Sequence, residues 1–204
     1  MNVMHDMGKK LDRRASRTQS SLSSALIELI LEKRYDAITV QNIIDRADVG
    51  RSTFYAHYRD KDDLFLRDIE RVLDGFVQHI DWRDVREERC VPIQELFRHV
   101  QEFQQFFKAL AKSRKKDWFY RSGLACLAHS IEKTLTLSLA DKPQLSVPIP
   151  VVSMYLAGGI IDLLRWWVDH NMPYPPERMD DIFHKLVMPG FRSVLGNEAD
   201  AGSR

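Results

Sequence analysis

Apolar residues recur along nearly the whole chain at intervals of three and four, and strict alternation is scarce. That is the period with which an α-helix buries one face. Leu22, Leu26, Leu29, Ile30 and Lys33 form a first stripe, and Phe65, Ile69, Val72, Leu73, Phe76 and Ile80 a second. Ile93, Leu96, Phe97, Val100, Phe103, Phe107 and Leu110 make a third, and Tyr120, Leu124, Leu127, Ala128, Ile131 and Leu135 a fourth. From Val151 to Val168 the chain is apolar on every side, so that segment must be buried on more than one face. Pro175 and Pro176 suit the first turn of a last helix, which carries Met179, Ile182, Phe183, Leu186 and Val187 before Pro189 and Gly190 kink or interrupt it. An all-α architecture follows.

With 204 residues the chain is long enough to bury a sizeable core, and 44 % hydrophobic against 29 % charged residues excludes a disordered or low-complexity polymer. The net charge of +1 says nothing about partners, but its distribution does. Lys9, Lys10, Arg13, Arg14 and Arg17 face only Asp12 over nine residues. This basic amino-terminal arm is either a solvated tail or a DNA-directed extension of the first helix. Two cysteines, Cys90 and Cys126, make no disulfide framework, and no apolar leader opens the chain, so a cytoplasmic location is expected. The longest nearly uncharged stretch, Val147 to Ile161, is 15 residues long and contains Pro148 and Pro150, so no membrane span is expected.

Between Tyr35 and Asp60 the helices become short and the punctuation dense. Thr39 can cap a two-turn helix ending near Ala47; Asp48, Val49 and Gly50 break it; a third short helix runs from about Arg51 to Tyr58; Asp60 caps the next, from Lys61. Two such helices joined by a three-residue turn form a helix-turn-helix. The expected division is an arm at 1–16, a helix-turn-helix head at 17–65, a larger body at 66–196 and a tail at 197–204. In the short helix, Phe54 and Tyr58 share one face with Val49 and Ile43 as core neighbours. Arg51, Ser52, Thr53, Tyr55 and His57 occupy the other. These are hydrogen-bonding groups and planar rings suited to phosphates and base edges in a major groove about 12 Å wide. Lys61, at a capped helix start, and Thr39 each mark a place for an anion.

Thr39-Val40-Gln41-Asn42-Ile43-Ile44-Asp45-Arg46-Ala47-Asp48-Val49-Gly50-Arg51-Ser52-Thr53-Phe54-Tyr55-Ala56-His57-Tyr58, followed by Asp60-Lys61-Asp62-Asp63-Leu64, resembles the DNA-binding motif of the TetR family of bacterial transcriptional regulators. The resemblance covers roughly residues 18 to 75. It implies an all-helical homodimer whose amino-terminal head binds a double-stranded operator and whose body binds a small-molecule effector. Carried over by position, Thr53, Tyr55 and His57 contact phosphate or base, Lys61 contacts phosphate, Gln41 stands where members read a base, and Thr39 caps its helix and touches the backbone. Three positions depart from the pattern. Asp48 replaces a turn glycine, tolerable because Asp visits the left-handed region more readily than most residues. Gly50 replaces a capping Ser, and Ile44 a small Ala. Tyr55 has a competing reading as a core aromatic.

In the body, the resemblance implies pairing through the last two long helices, and the all-round apolar segment agrees with it. Gly158 and Gly159 allow close helix approach there, so they join Ile161, Trp166, Ile182, Phe183 and Leu186 as expected dimer contacts. An ordinary central core helix is the alternative. Two-fold pairing implies a palindromic operator. Phe103, Phe107, Trp118, Tyr120, His129 and Tyr155 are the candidates for lining an effector site. Cys126 with His129, and Cys90 with His99, supply too few ligands for a zinc site, and no phosphate loop or nucleophile elbow is present, so neither metal, cofactor nor catalysis is expected. A helical small-molecule-binding protein or enzyme without DNA binding is the rival class.

Overall fold

A computed structural model of the chain describes residues 3–78, 80, 91–139 and 146–195. Cys90 and the expected tail at 197–204 lie outside them. Among the described residues every regular element is helical: α1 (Val3–Glu32), α2 (Val40–Ala47), α3 (Arg51–His57), α4 (Lys61–Val77), α5 (Ile93–Glu102), α6 (Gln104–Ala111), α7 (Lys116–Ser138), α8 (Ile149–Asp169), α9 (Pro176–Leu186) and α10 (Met188–Leu195), with one turn of 3-10 helix at Tyr35–Ala37. The basic run from Lys9 to Arg17 falls within α1. Two compact units divide between Asp68 and Ile69, inside α4, and Lys112–Arg114 groups with the first.

In the first unit, the α1 stripe buries Leu22, Ala25, Leu26, Leu29 and Ile30, and α2 packs against α1 through Ile43 and Ile44. Phe54, Tyr58, Leu64 and Phe65 complete the buried set. Polar links fix these pieces. Arg46 of α2 reaches Glu28 at 3.0 Å and Glu32 at 2.8 Å on α1. The Glu32 carboxyl is held below its ordinary range by hydrogen bonding to Arg46, and the guanidinium is held above its own. Ser23 of α1 donates to Asp68 of α4 at 2.7 Å.

The second unit is built on α7 against α8 and α5 against α9. Its core includes Phe97, Leu127, Ile131, Leu156, Ile160, Trp167, Met179 and Phe183. The Trp167 ring meets Phe97 edge-on at 5.0 Å, and its indole N–H donates to the Tyr174 carbonyl at 2.8 Å. That bond anchors a turn in which Asn171 and Met172 both take positive φ, 62° and 56°. Ser130 of α7 donates to Asp74 of α4.

Three packing expectations change. Val72 is half exposed rather than turned inward. The stripe from Ile93 to Leu110 is not one helix: it breaks between α5 and α6 at Phe103, which stands 47 % exposed. The break before α10 falls at Val187, two residues before the Pro–Gly pair, because Pro189 sits in the first turn of α10, where its missing N–H costs nothing. As a whole, α8 is long and apolar enough to cross a membrane by length and composition. Leu156, Ala157, Ile160 and Trp167 are nevertheless wholly buried within the protein, as in a core helix.

Candidate nucleic-acid interface

The short helices of the head are fixed by their ends. Thr39 Oγ1 accepts the Asn42 N–H at 3.2 Å while Asn42 Oδ1 accepts the Thr39 N–H at 3.1 Å, a reciprocal capping box at the start of α2. Such a cap is worth about 1 kcal/mol. Lys33 Nζ donates to the same Asn42 Oδ1 at 2.7 Å, which brings a cation to the cap. Asp48 ends α2 in the left-handed region at φ 51°, ψ 49°, the conformation for which a glycine is usual. Gly50 precedes α3 without a side-chain cap, as its lack of a side chain requires.

This turn rolls α3 so that its two sides differ sharply. Phe54 and Tyr58 are buried, their rings 5.8 Å apart. Tyr55 meets Phe54 edge-on at 5.3 Å yet remains 50 % exposed, so the core reading of that ring does not hold. Arg51 and Ser52 are exposed beside it, and Thr53 and His57 are half-buried. Thr39 and Gln41, at the start of α2, are also exposed. Gln41 accepts from Arg51 Nη2 at 2.7 Å, which joins the surfaces of α2 and α3.

Lys61 is placed differently from the expectation. Its ammonium donates to the carbonyls of Tyr35 at 2.8 Å and Ile38 at 2.6 Å and lies 4.7 Å from the Tyr35 ring centroid. It ties the carbonyls at the two ends of the 3-10 turn, at buried Tyr35 and Ile38, with two of its donors used inside the protein. The Tyr35 hydroxyl donates to Asp62 at 2.6 Å, and burial followed by that bond pushes its pKa up. Asp60 caps α4 as expected, its carboxylate accepting the Asp63 N–H at 2.8 Å. Asp63, almost wholly buried, accepts the Arg59 N–H at 2.9 Å and the Arg67 guanidinium at 3.3 Å. The Arg59 N–H, then Arg67, hold its carboxyl below the ordinary range.

Residues 22–67 match the family model described as "Bacterial regulatory proteins, tetR family", and residues 92–189 match "Transcriptional regulator C-terminal region"; together they span more than two thirds of the chain. The chain belongs to the TetR family of bacterial transcriptional regulators. It is 23 % identical over 170 residues to the uncharacterized HTH-type transcriptional regulator YxbF of Bacillus subtilis strain 168, covering 83 % of this chain and 44 % of that protein. The chain spans less than half the length of the curated relatives it matches. Among solved structures, a TetR transcriptional regulator from Streptococcus agalactiae 2603V is similar at a TM-score of 0.57 and 25 % identity, over 88 % of this chain and 98 % of that one. The regulator RolR in complex with the ligand resorcinol shares the fold at a TM-score of 0.54 and 16 % identity, over 88 % of this chain and 89 % of that one.

In the body of this TetR-family chain, the candidate residues divide. Trp166 and Leu186 are 40 % and 67 % exposed, and Ile182 is half-buried. A Cβ on Gly158 would meet nothing, so that backbone is open to a partner. Phe183, by contrast, is fully buried within its own chain and cannot be a dimer contact. Gly159 serves a close approach inside the chain, since a Cβ there would lie 2.8 Å from Val187 Cγ2. Ile161 faces Gly123 of α7. The six effector candidates are turned to different neighbours. Phe103 pairs with His99 at 4.8 Å, Trp118 with the Lys115 ammonium at 5.1 Å, and Tyr120 with the Arg165 guanidinium at 5.0 Å. Tyr155 reaches the Val187 carbonyl at 3.4 Å, Phe107 packs against the core, and His129 is exposed. Cys126 is half-buried, and its thiol is pushed up by burial, then by Glu70 and Asp74, which makes it a poor nucleophile.

Three residues that matter here are not among the expected site residues: Lys33, which belongs to the first apolar stripe by spacing, Asp45 and Arg46. The spacing of Glu28 and Glu32 by four is the one sequence mark of the Arg46 pair.

Proposed function

We propose that this chain is a homodimeric repressor that grips a palindromic operator through two α3 helices and is released by a small-molecule effector. The observation that carries the reading is the division of α3: Phe54 and Tyr58 are buried while Tyr55 and the polar residues around it stay open. A two-turn helix held by its inner side, with rings and hydroxyls outside, suits the major groove. Arg51, Ser52, Thr53, Tyr55 and His57 would face bases and phosphates, flanked by Thr39 and Gln41. Lys61 would act chiefly by bracing the turn before α2, with at most a residual phosphate contact.

Pairing draws support from the apolar side chains left exposed on α8 and α9: Val151, Met154, Tyr155, Trp166 and Leu186. Val151, Met154, Tyr155, Gly158 and Trp166 follow a helical stripe, the pattern of a face that packs on a second helix. Two-fold symmetry would set the recognition helices about 34 Å apart, on successive major grooves. An effector that binds better to a dimer with misplaced heads would shift the population away from the DNA-competent form. The resorcinol complex of RolR supports a small molecule as effector class. An effector-independent regulator is the second reading, favoured by the scattered orientation of the six candidate pocket residues. Repression predicts that the purified protein shifts a fragment of its own upstream region, with a symmetric footprint. A protein that stays monomeric and binds no duplex would end the reading.

A further inference from the structure

The contact between α2 and α3 suggests a division of labour that position alone does not. Arg51 Nη2 donates to Gln41 Oε1 at 2.7 Å, and Gln41 Nε2 donates to Asp45 Oδ1 at 2.7 Å. The order is chemically fixed. A guanidinium can only donate and a carboxylate can only accept, so an amide between them has a single orientation. All three side chains are exposed, on the side of the head that carries Tyr55.

We infer that Arg51 reads a guanine in the operator and that Gln41 is a positioning residue, held by Asp45, that presents the guanidinium. This deepens the DNA-binding reading above and rests on it. Arg51 is the first residue of α3, and in helix-turn-helix proteins the amino-terminal residues of the recognition helix meet base edges. One of its five N–H donors is used by Gln41, which leaves a free edge of the planar fork for guanine O6 and N7. Fixing that plane beforehand removes part of the ordering cost of the contact. Asp45 argues for a base rather than a phosphate. Its carboxylate stands four residues from Gln41 on the same face, where it repels a phosphate but leaves an uncharged base edge accessible. Gln41 uses one carbonyl lone pair on Arg51 and one amide hydrogen on Asp45, and these two bonds orient its amide toward those side chains.

The test uses the full chain and duplexes recovered by selection from a random-sequence pool, with base preference measured at every position. The wild type should require guanine at one position in each half-site. Arg51→Ala and Arg51→Lys should both reduce that preference by about 5- to 150-fold, because a lysine keeps the charge but not the fork. Gln41→Ala should weaken preference at the same position, and should add nothing in an Arg51→Ala background. Melting temperatures should be unchanged, since both side chains are at the surface. Two results would overturn the inference while leaving DNA binding intact. One is uniform weakening of all sequences by Arg51→Ala, with the salt slope reduced by about 0.9, the mark of a phosphate contact. The other is a preference change at a different position for Gln41→Ala, independent of Arg51. A pool that yields no bound duplex would refute the DNA-binding reading itself, and this inference with it.

Discussion

The head and the body of this chain leave different things uncovered. In the head, Phe54 and Ile43 are buried at 0 %, Ile27 and Leu31 of α1 stay exposed, and what faces outward on α3 is Arg51, Ser52 and Tyr55. In the body, a tightly packed core around Trp167 and Phe183 coexists with exposed Val151, Met154, Tyr155, Trp166 and Leu186. A protein surface of polar groups is stable in water and becomes useful when a polar polymer docks. An exposed apolar stripe is instead a surface that favours being covered. On the function proposed above, the two regions would meet their partners by different physics. The head would use charge and hydrogen bonds that weaken with salt; the body would use burial that does not.

That contrast can be broken most severely from inside the head. Phe54→Ala empties a fully buried site and should cost about 3–5 kcal/mol, read as a lower melting temperature with DNA binding lost as a consequence. In the body, Met154→Glu places a carboxylate on the exposed α8 stripe, and Leu186→Glu adds one at an exposed position of α9. If that stripe is the pairing surface, the dimer constant measured by sedimentation should weaken by more than about a hundredfold, roughly 3 kcal/mol, with secondary structure retained. An unchanged constant would move the interface elsewhere.

The two adjacent glycines sharpen the comparison within one helix. Gly159→Ala drives a methyl group against Val187 and should destabilise the body by about 1–3 kcal/mol in denaturant titration. Gly158→Ala meets no atom of its own chain and should stabilise the helix by up to about 1 kcal/mol in a monomer. If it instead weakens pairing, the partner's backbone comes close there. The smallest effect is expected from acid. Asp63 has its pKa lowered in the folded head, so its contribution is fully present above the ordinary carboxylate value of about 4 and is lost as pH falls through the lower folded value. Melting below about pH 4 should therefore be less steep in pH for Asp63→Asn than for the wild type.

Much of the head was legible in its residues because short-range chemistry decides it. Thr39, Asp48, Gly50 and Asp60 punctuate the chain within a few residues of what they cap, and the structure keeps each boundary to within one residue. The bracing contacts of Lys61 are not legible, because its neighbours at Tyr35 and Ile38 are more than 20 residues away in sequence. The body reads well as helices and poorly as a site. A stripe says which residues turn inward, but not which inner face belongs to the chain itself. Phe183 therefore reads as a pairing residue although its own chain buries it, while Gly159 approaches Val187 and Ile161 faces Gly123 within the chain. The break at Phe103 was hidden for a related reason: its spacing continues the stripe although the backbone does not.

The central claim is that the open side of α3 is a reading surface and not an unfinished core. Tyr55→Ala tests it most directly, by operator affinity and melting temperature measured on the same preparation. Specific binding should weaken by about 1–3 kcal/mol, with the melting temperature within a degree or two of the wild type. A marked drop in melting temperature with affinity per folded molecule unchanged would show that the ring supports the fold, and would contradict the account.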